Sequence, residues 1–223
     1  MITLSYPLFE SSIDFNDNIV KVIVIENPTE FLKFETQLLL AMEDKSEELA
    51  LFKNHEEIQF KKYFEVITDV FSLDKSNKKI INKLYAKLQE LAYQEDMYLK
   101  TCELEKNINE YVINLSEFVD CNLDYEQVDL LGVFKSVNLK ITDDNISFIE
   151  KICDFVDVFN EFLKINYFVF INLKSYLNDE ELQEFYKFVS YKKINLLLLE
   201  NHQRNKLPNE DLTIIDNDLC EIY

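Results

Sequence analysis

Residues 167–200 read "YFVFINLKSYLNDEELQEFYKFVSYKKINLLLLE", and this stretch decides the fold. It holds two continuous apolar runs, Tyr167–Leu173 and Asn195–Glu200. A strand with one wet face alternates apolar and polar residues, whereas an unbroken run belongs to a strand covered on both faces. Between the runs, Asn178 is placed to cap a helix, and Asp179, Glu180 and Glu181 suit its positive end. Leu182, Phe185, Phe188 and Val189 then form a stripe at helical spacing, predicting a helix from Asn178 to Tyr191. Strand, helix and strand make a βαβ unit, which predicts a parallel sheet.

Working outward, a helix is expected from Asn145 to about Leu163, with Ile149, Ile152, Val156 and Phe159 inward. Near the N-terminus, "KVIVIENPTEFLKF" (21–34) runs a β-branched strand straight into a helix. Asn27 can cap that helix, Pro28 fits its first turn, and Glu30 stands three residues after the cap. Nucleotide-binding proteins place a glycine loop at such a junction, but here it holds neither glycine nor lysine. The chain's single glycine is Gly132, which excludes a glycine-rich phosphate cradle. The full set of expected strands is Ile2–Tyr6, Val20–Ile25, Phe64–Val70, Val137–Ile141, Tyr167–Leu173, Asn195–Glu200 and Leu219–Tyr223.

The middle of the chain reads as helical. One helix is expected from Asn77 to about Tyr93, with Ile81, Leu84, Leu88 and Leu91 inward. A longer one runs to about Val119, where Leu104, Ile108, Tyr111, Leu115 and Phe118 form a heptad-like seam suited to lengthwise packing. A short helix from Asp124 to about Ser136 follows. The expectation is an α/β core, residues 1–70 and 137–223, split by an all-helical insertion, residues 71–136.

The formal net charge of −19 over 223 residues, taken alone, argues against nucleic acid and for solubility, cation binding or a basic partner. The charge is uneven, however. Lys61 to Lys87 carries seven lysines against three acids, and Leu88 to Leu130 carries eleven acids against two lysines. Lys79, Lys83 and Lys87 repeat at i, i+4, i+8, a row roughly 12 Å long that can track a phosphate backbone. The bland reading of the same row is a solvated helix face. Arg204 is the only arginine, which disfavours base-edge readout.

In "EFVDCNLDYEQVD" (117–129), Glu117, Asp120, Asp124, Glu126 and Asp129 are hard oxygen donors of the kind calcium or magnesium takes. The stretch copies the start of an EF-hand loop and then fails, with Tyr125 in place of glycine and Leu131 in place of the bidentate glutamate. A cap at Asp124 followed by surface acids explains the same pattern. Cys102, Cys121, Cys153 and Cys220 show no metal-ligand spacing, and no signal peptide is apparent, so a reducing cytoplasm is expected. No apolar run reaches the roughly 18–20 residues of a membrane span. His202 follows a strand at the ligand-binding edge of an α/β sheet, while His55 lies in a charged stretch, and neither has an evident nucleophile beside it. Asn172 stands where a nucleoside triphosphatase would place its magnesium-binding acid after the strand.

Over its whole length the chain resembles the Csn-two proteins of type II-A CRISPR systems. The resemblance lies in the order of "VKVIVIENPTEF", "EVITDVFSLD", "CNLDYEQVDLLGVFKSVNLKI", "YFVFINLKSYLNDEELQEFYKFV" and "INLLLLENHQR". It implies a P-loop-NTPase or ABC-ATPase-like head without a nucleotide-binding loop or nucleotide cofactor, and an inserted helical leg. It implies no enzymatic activity, but a homotetrameric ring whose lysine-lined hole holds double-stranded DNA ends during spacer acquisition. Its implied partners are the CRISPR integrase complex and the effector nuclease. Calcium is implied as cofactor, on Glu117, Asp120, Asp124, Glu126 and Asp129, with Glu150 and Asp154 as completing ligands. The DNA role would fall on Lys53, Lys61, Lys62, Lys79, Lys83 and Lys87. An adaptor working only through protein contacts, and a metal-dependent nuclease built on the acidic stretch, are the alternatives.

Overall fold

The computed structural model of the chain describes residues 2–15, 19–121, 123–124, 126–142 and 147–222. In chain order its elements are β1 (Ile2–Ser5), β2 (Ile13–Phe15), β3 (Val20–Ile25), α1 (Pro28–Met42), β4 (Ala50–Lys53), β5 (Glu56–Glu57) and β6 (Phe64–Ile67). Then come α2 (Lys78–Ala92), α3 (Glu95–Ser116), α4 (Leu130–Ser136), α5 (Phe148–Leu163), β7 (Tyr167–Ile171), α6 (Asp179–Tyr191), β8 (Asn195–Glu200), β9 (Glu210–Ile215) and β10 (Glu221–Ile222). They group into two compact units, Met1–Asp74 with Asp143–Tyr223, and Lys75–Thr142.

The first unit is α/β. Its larger sheet has the order β10-β9-β3-β8-β7-β6. The strands from β9 to β6 are parallel, and β10 pairs antiparallel at the edge. A smaller antiparallel sheet has the order β2-β1-β4-β5. Because residues alternate across a strand, β3, β7 and β8 each supply two apolar faces. One face, with Ile23, Ile25, Val169, Ile171, Leu197 and Leu199, shares a core with Phe34 and Leu38 of α1 and with Leu4 and Leu51 of the smaller sheet. On the other face Val22, Phe168, Phe170, Leu196 and Leu198 are equally buried, and Phe170 meets Phe185 of α6 edge-on at 5.6 Å.

At the junction of β3 and α1, the Asn27 side chain accepts from the Thr29 and Glu30 amides at 3.0 and 3.3 Å, and Pro28 occupies the first turn. The cap is as expected. Glu30, however, turns away from the cap to pair with Lys33. The Asn27 amide group donates to the Asn217 carbonyl at 3.3 Å, tying the junction to the loop after β9. The capping boxes lie elsewhere, between Ser147 and Glu150 at α5 and between Asn178 and Glu181 at α6.

Several expected boundaries change for identifiable reasons. Val137–Ile141 is not a strand: Asn138 takes φ 51°, and the Ser76 hydroxyl bonds both the amide and the carbonyl of Ile141, so this backbone needs no ladder. β6 stops at Ile67 because Asp69 folds a turn, accepting from the Phe71 amide and the Ser72 hydroxyl. β7 stops at Ile171 because Asn172 is left-handed, at φ 55°. α4 begins after Asp129, whose carboxylate accepts from the Leu131 amide, rather than at Asp124. The expected starting residue Asn145 of α5 and the expected strand end Tyr223 lie outside the described residues, as do Asn122 and Tyr125 of the acidic stretch. β2, β4, β5 and β9 were not expected. β4 and β5 form a hairpin whose tip, Asn54–His55, has both residues at positive φ, the two-residue turn geometry that usually advertises itself with glycine.

Nine described non-glycine residues in all take positive φ: Asp44, Asn54, His55, Asn138, Lys164, Asn172, Lys193, Asn209 and Leu219. Gly132, in contrast, lies in α4, where an added Cβ would come within 2.9 Å of the Asp129 carboxylate. Its need is space under the cap, not left-handed backbone.

The second unit contains only helices among its described elements. In α2 the buried residues are Ile80, Tyr85 and Ala92, so the expected inward face is rotated, with Ile81, Leu84 and Leu88 half-buried and Leu91 exposed. α3 buries only Thr101, whose hydroxyl donates to the Ala92 carbonyl at 2.7 Å. The expected seam is uncovered along most of its length: Tyr111 is 65% exposed and Phe118 84%.

Phe34 is fully buried and its ring lies 4.8 Å from Tyr6 and 5.2 Å from Phe9. Phe34→Ala should therefore lower the unfolding free energy by about 3–5 kcal/mol in chemical denaturation. On the same helix Leu32 is 63% exposed; Leu32→Ala should change stability by no more than about 0.5 kcal/mol.

Candidate functional site

The candidate cationic residues fall on separate elements. Lys79, Lys83 and Lys87 are all exposed on α2, on the side away from Tyr85 and Ala92, and no ion pair engages them among the described residues. Their spacing places the three ammonium groups in one row with solvent around them. In the first unit, Lys53 ends β4 with its ammonium 5.2 Å from the centre of the Tyr63 ring. Lys61 and Lys62 share a single 3₁₀ turn; Lys61 pairs with Asp44 while Lys62 is exposed. Lys61 is therefore partly neutralised, and the row on α2 carries the most available charge.

The acidic residues are differently disposed. Glu117 is the C-terminal cap residue of α3, and Asp120, Asp124 and Glu126 are exposed in the connection that follows. Asp129 caps α4. In the first unit, Glu150 accepts from the Ser147 amide and hydroxyl at 2.7 and 2.8 Å, and Asp154 follows one turn later on α5. Among the described residues no group of three or more His, Cys, Asp or Glu side chains converges on a point where a metal could sit. The oxygen donors suit calcium in kind, but Asp129 and Glu150 are already occupied as helix caps. The described carboxylates do not form a preassembled site.

The most highly organised polar cluster is one the sequence reading passed over. Lys174, in the turn after β7, is a buried cation. Its ammonium donates to both oxygens of Glu210 at 2.7 and 3.0 Å and to the Asn205 carbonyl at 2.9 Å. The pair is almost sealed from water, with side-chain exposures of 3% and 0%. Glu210 also accepts from the Tyr186 hydroxyl at 2.6 Å and the Leu207 amide at 2.9 Å. Glu200, the last residue of β8 and 1% exposed, accepts from the Lys174 amide at 2.9 Å. Burial pushes its carboxyl up to about 7, against the pull of Lys174 and Arg204. Burial, then the bond to Glu210, also raises the Tyr186 phenol, which stays protonated as a donor.

The available signal was an acid ending a fully apolar run, since a buried carboxylate demands partners. Nearby, the Asn172 side chain accepts from the Asn201 amide at 3.0 Å, and Arg204 donates to the Ser175 hydroxyl at 3.1 Å. His202 is exposed in this connection, and His55 is exposed at the hairpin tip.

This architecture, a largely parallel sheet with a smaller antiparallel sheet, is similar to that of ATP-binding cassettes. A nucleotide-free ATP-binding cassette from an ABC transporter matches at a TM-score of 0.50 and 13% identity, over 99% of this chain and 91% of that one. The cassette MJ1267, in a twinned crystal, matches at 0.50 and 12%, over 99% and 90%. At such identities the likeness concerns the fold alone.

The family is narrower than the fold. The family model of the CRISPR-associated protein Cas_Csn2 matches residues 42–219, and the chain belongs to that family, the Csn-two proteins it resembles in sequence. CRISPR-associated protein Csn2 of Streptococcus agalactiae is 20% identical over 225 residues, covering 98% of this chain and 96% of its own. Csn2 of Enterococcus faecalis is 22% identical over 142 residues, covering 60% and 62%. The chain thus has a CRISPR-associated role. No helix among its described residues is long and apolar enough to cross a membrane.

Removing one partner from a sealed ion pair leaves the other charge uncompensated. Lys174→Met should cost about 3–5 kcal/mol in denaturant unfolding. Tyr186→Phe removes one of the donors to Glu210 and should cost about 1–3 kcal/mol.

Proposed function

We propose that this Csn2 protein is a non-enzymatic, sequence-independent binder of double-stranded DNA ends. In this reading it acts as a calcium-supported homotetrameric ring in the spacer acquisition of a type II-A CRISPR system, in the cytoplasm. The observation that carries the reading is the exposed row of Lys79, Lys83 and Lys87 in a chain of net charge −19. Such a row has a phosphate backbone as its natural counter-charge, and closure into a ring would let an acidic exterior coexist with a basic interior. Lys53, Lys61 and Lys62 are assigned secondary contacts, Lys61 after giving up Asp44. The integrase complex and the effector nuclease are the proposed protein partners.

The cassette-like unit serves as scaffold, and the helical unit as a leg. Support for a scaffold without nucleotide comes from the β3–α1 junction, where Asn27 satisfies the first helical amides and Pro28 fills the turn. It comes also from Asn172, which holds the Asn201 amide after β7. Calcium is assigned to Glu117, Asp120, Asp124, Glu126 and Asp129, with Glu150 and Asp154 retained as further candidate ligands. Because the described acids do not converge, binding has to assemble them, and its energy would be available to fix the conformation of the acidic stretch.

The exposed side chains Tyr111 and Leu115 on α3, with Phe118 just beyond its end, favour a second reading. In it the protein is an adaptor that acts only through protein contacts, with α3 as the partner surface.

A gel shift comparing linear with covalently closed DNA separates the two. Linear DNA should be retained with calcium and released by chelator, whereas equal retention of closed circles at low salt would sink the end-threading idea. Replacing Lys79, Lys83 and Lys87 together by alanine should weaken binding to all sequences alike. It should also flatten the dependence of log K on log salt by about 2–3. Light scattering should give a tetramer with calcium; a stable monomer that binds no DNA at any calcium level would favour the adaptor.

A further inference from the structure

The buried cluster around Lys174 holds one cation and two carboxylates. The three ammonium protons of Lys174 are all committed, two to Glu210 and one to the Asn205 carbonyl. Among the described residues Glu200 receives the Lys174 amide and the more distant fields of Lys174 and Arg204. The other groups around the cluster are unfavourable to a second anion. Glu210 from the start of β9 repels it, and Tyr186 from α6 is a neutral phenol whose proton already serves Glu210, held protonated in part by the negative charge of Asp179 at the start of α6.

The same contacts hold down the connection from β8 to β9. Asn201 is tied through its amide to Asn172, Arg204 to Ser175, Asn205 to the Lys174 ammonium, and Leu207 through its amide to Glu210. Between these anchors His202, Gln203, Arg204 and Lys206 face solvent, a cationic segment on an acidic protein.

We propose that Glu200, Lys174 and Glu210 form a proton-operated latch that sets how firmly residues 201–209 are held. With Glu200 protonated, the enclosure is electrically balanced and Lys174 is free to grip Glu210 and Asn205. With Glu200 ionised, a second buried anion competes for the same ammonium and draws in water, and the grip on Asn205 loosens. The folded-state value of about 7 lies above the ordinary 4.5 of a glutamate. Between those limits the native state holds a proton that the unfolded chain does not. The associated stabilisation is fully present below the lower limit and is lost as pH rises through the upper one.

The test uses the full chain. Carbon-13 titration of the glutamate carboxyls should place Glu200 near neutrality. Exchange protection of the Lys174 and Leu207 amides, corrected for intrinsic exchange, should fall by up to about tenfold per pH unit, the limit for one proton, as pH rises from about 4.5 to that midpoint, and level off above it. Glu200→Gln should hold both amides at their low-pH protection throughout. His202→Asn should leave the pH response intact. The latch is overturned if Glu200 titrates in the ordinary carboxylate range, or if the two amides ignore its titration. It is equally overturned if Glu200→Gln retains the response or His202→Asn removes it.

Discussion

The first unit is organised around strands that have no wet face. β3, β7 and β8 bury side chains on both sides, so each must pair with neighbours along both edges and be covered above and below. That requirement brings α1 and the smaller sheet to one face and α6 to the other, and it makes the connections between parallel strands long enough to carry helices. It also makes strand ends demanding, because any polar group there is enclosed by the cover. Glu200 ends a strand in such a place, and Lys174, Glu210 and Tyr186 are the local answer. The tight polar cluster is a consequence of the dry sheet.

Legibility followed the same physics. The strands buried on two faces could be read directly, since continuous apolar runs of that length have few other uses, and β3 and β8 match the expected bounds. The caps at Asn27 and Asn178 were equally legible, because a short polar side chain before an apolar stripe has a local mechanism. The smaller sheet was not. Its strands have two to four residues each, and its hairpin turns at Asn54–His55 without the glycine that would have marked it. Val137–Ile141 misled because β-branched residues there serve a turn closed by Ser76. The cationic row on α2 was visible from spacing alone, whereas the Lys174 cluster joins residues up to 36 positions apart and no local pattern announces it.

The second unit differs in kind. α3 has 22 residues and buries only Thr101. Helices are ordinarily stabilised by packing an apolar stripe rather than by intrinsic propensity. Leu104, Tyr111, Leu115 and Phe118 form such a stripe without a cover in the single chain. This arrangement suits a helix whose stability increases when it is engaged, and it links the dynamics of this unit to whatever it meets.

The near absence of glycine has a thermodynamic side as well. Left-handed turns at Asn54, Asn138, Asn172 and Asn209 are made by residues with side chains, as are those at Lys164, Lys193 and Leu219. A side chain in that conformation strains the native backbone by roughly 1–2 kcal/mol, and less for asparagine, which can bond locally. The same side chain narrows the unfolded ensemble, a gain of about 0.4–1 kcal/mol relative to glycine. The two effects nearly cancel at asparagine and do not at leucine or lysine. The protein thus has a stiffer denatured state and a slightly tenser native one than a glycine-rich relative would. Its turns are positions where exchange for glycine would relax both states at once.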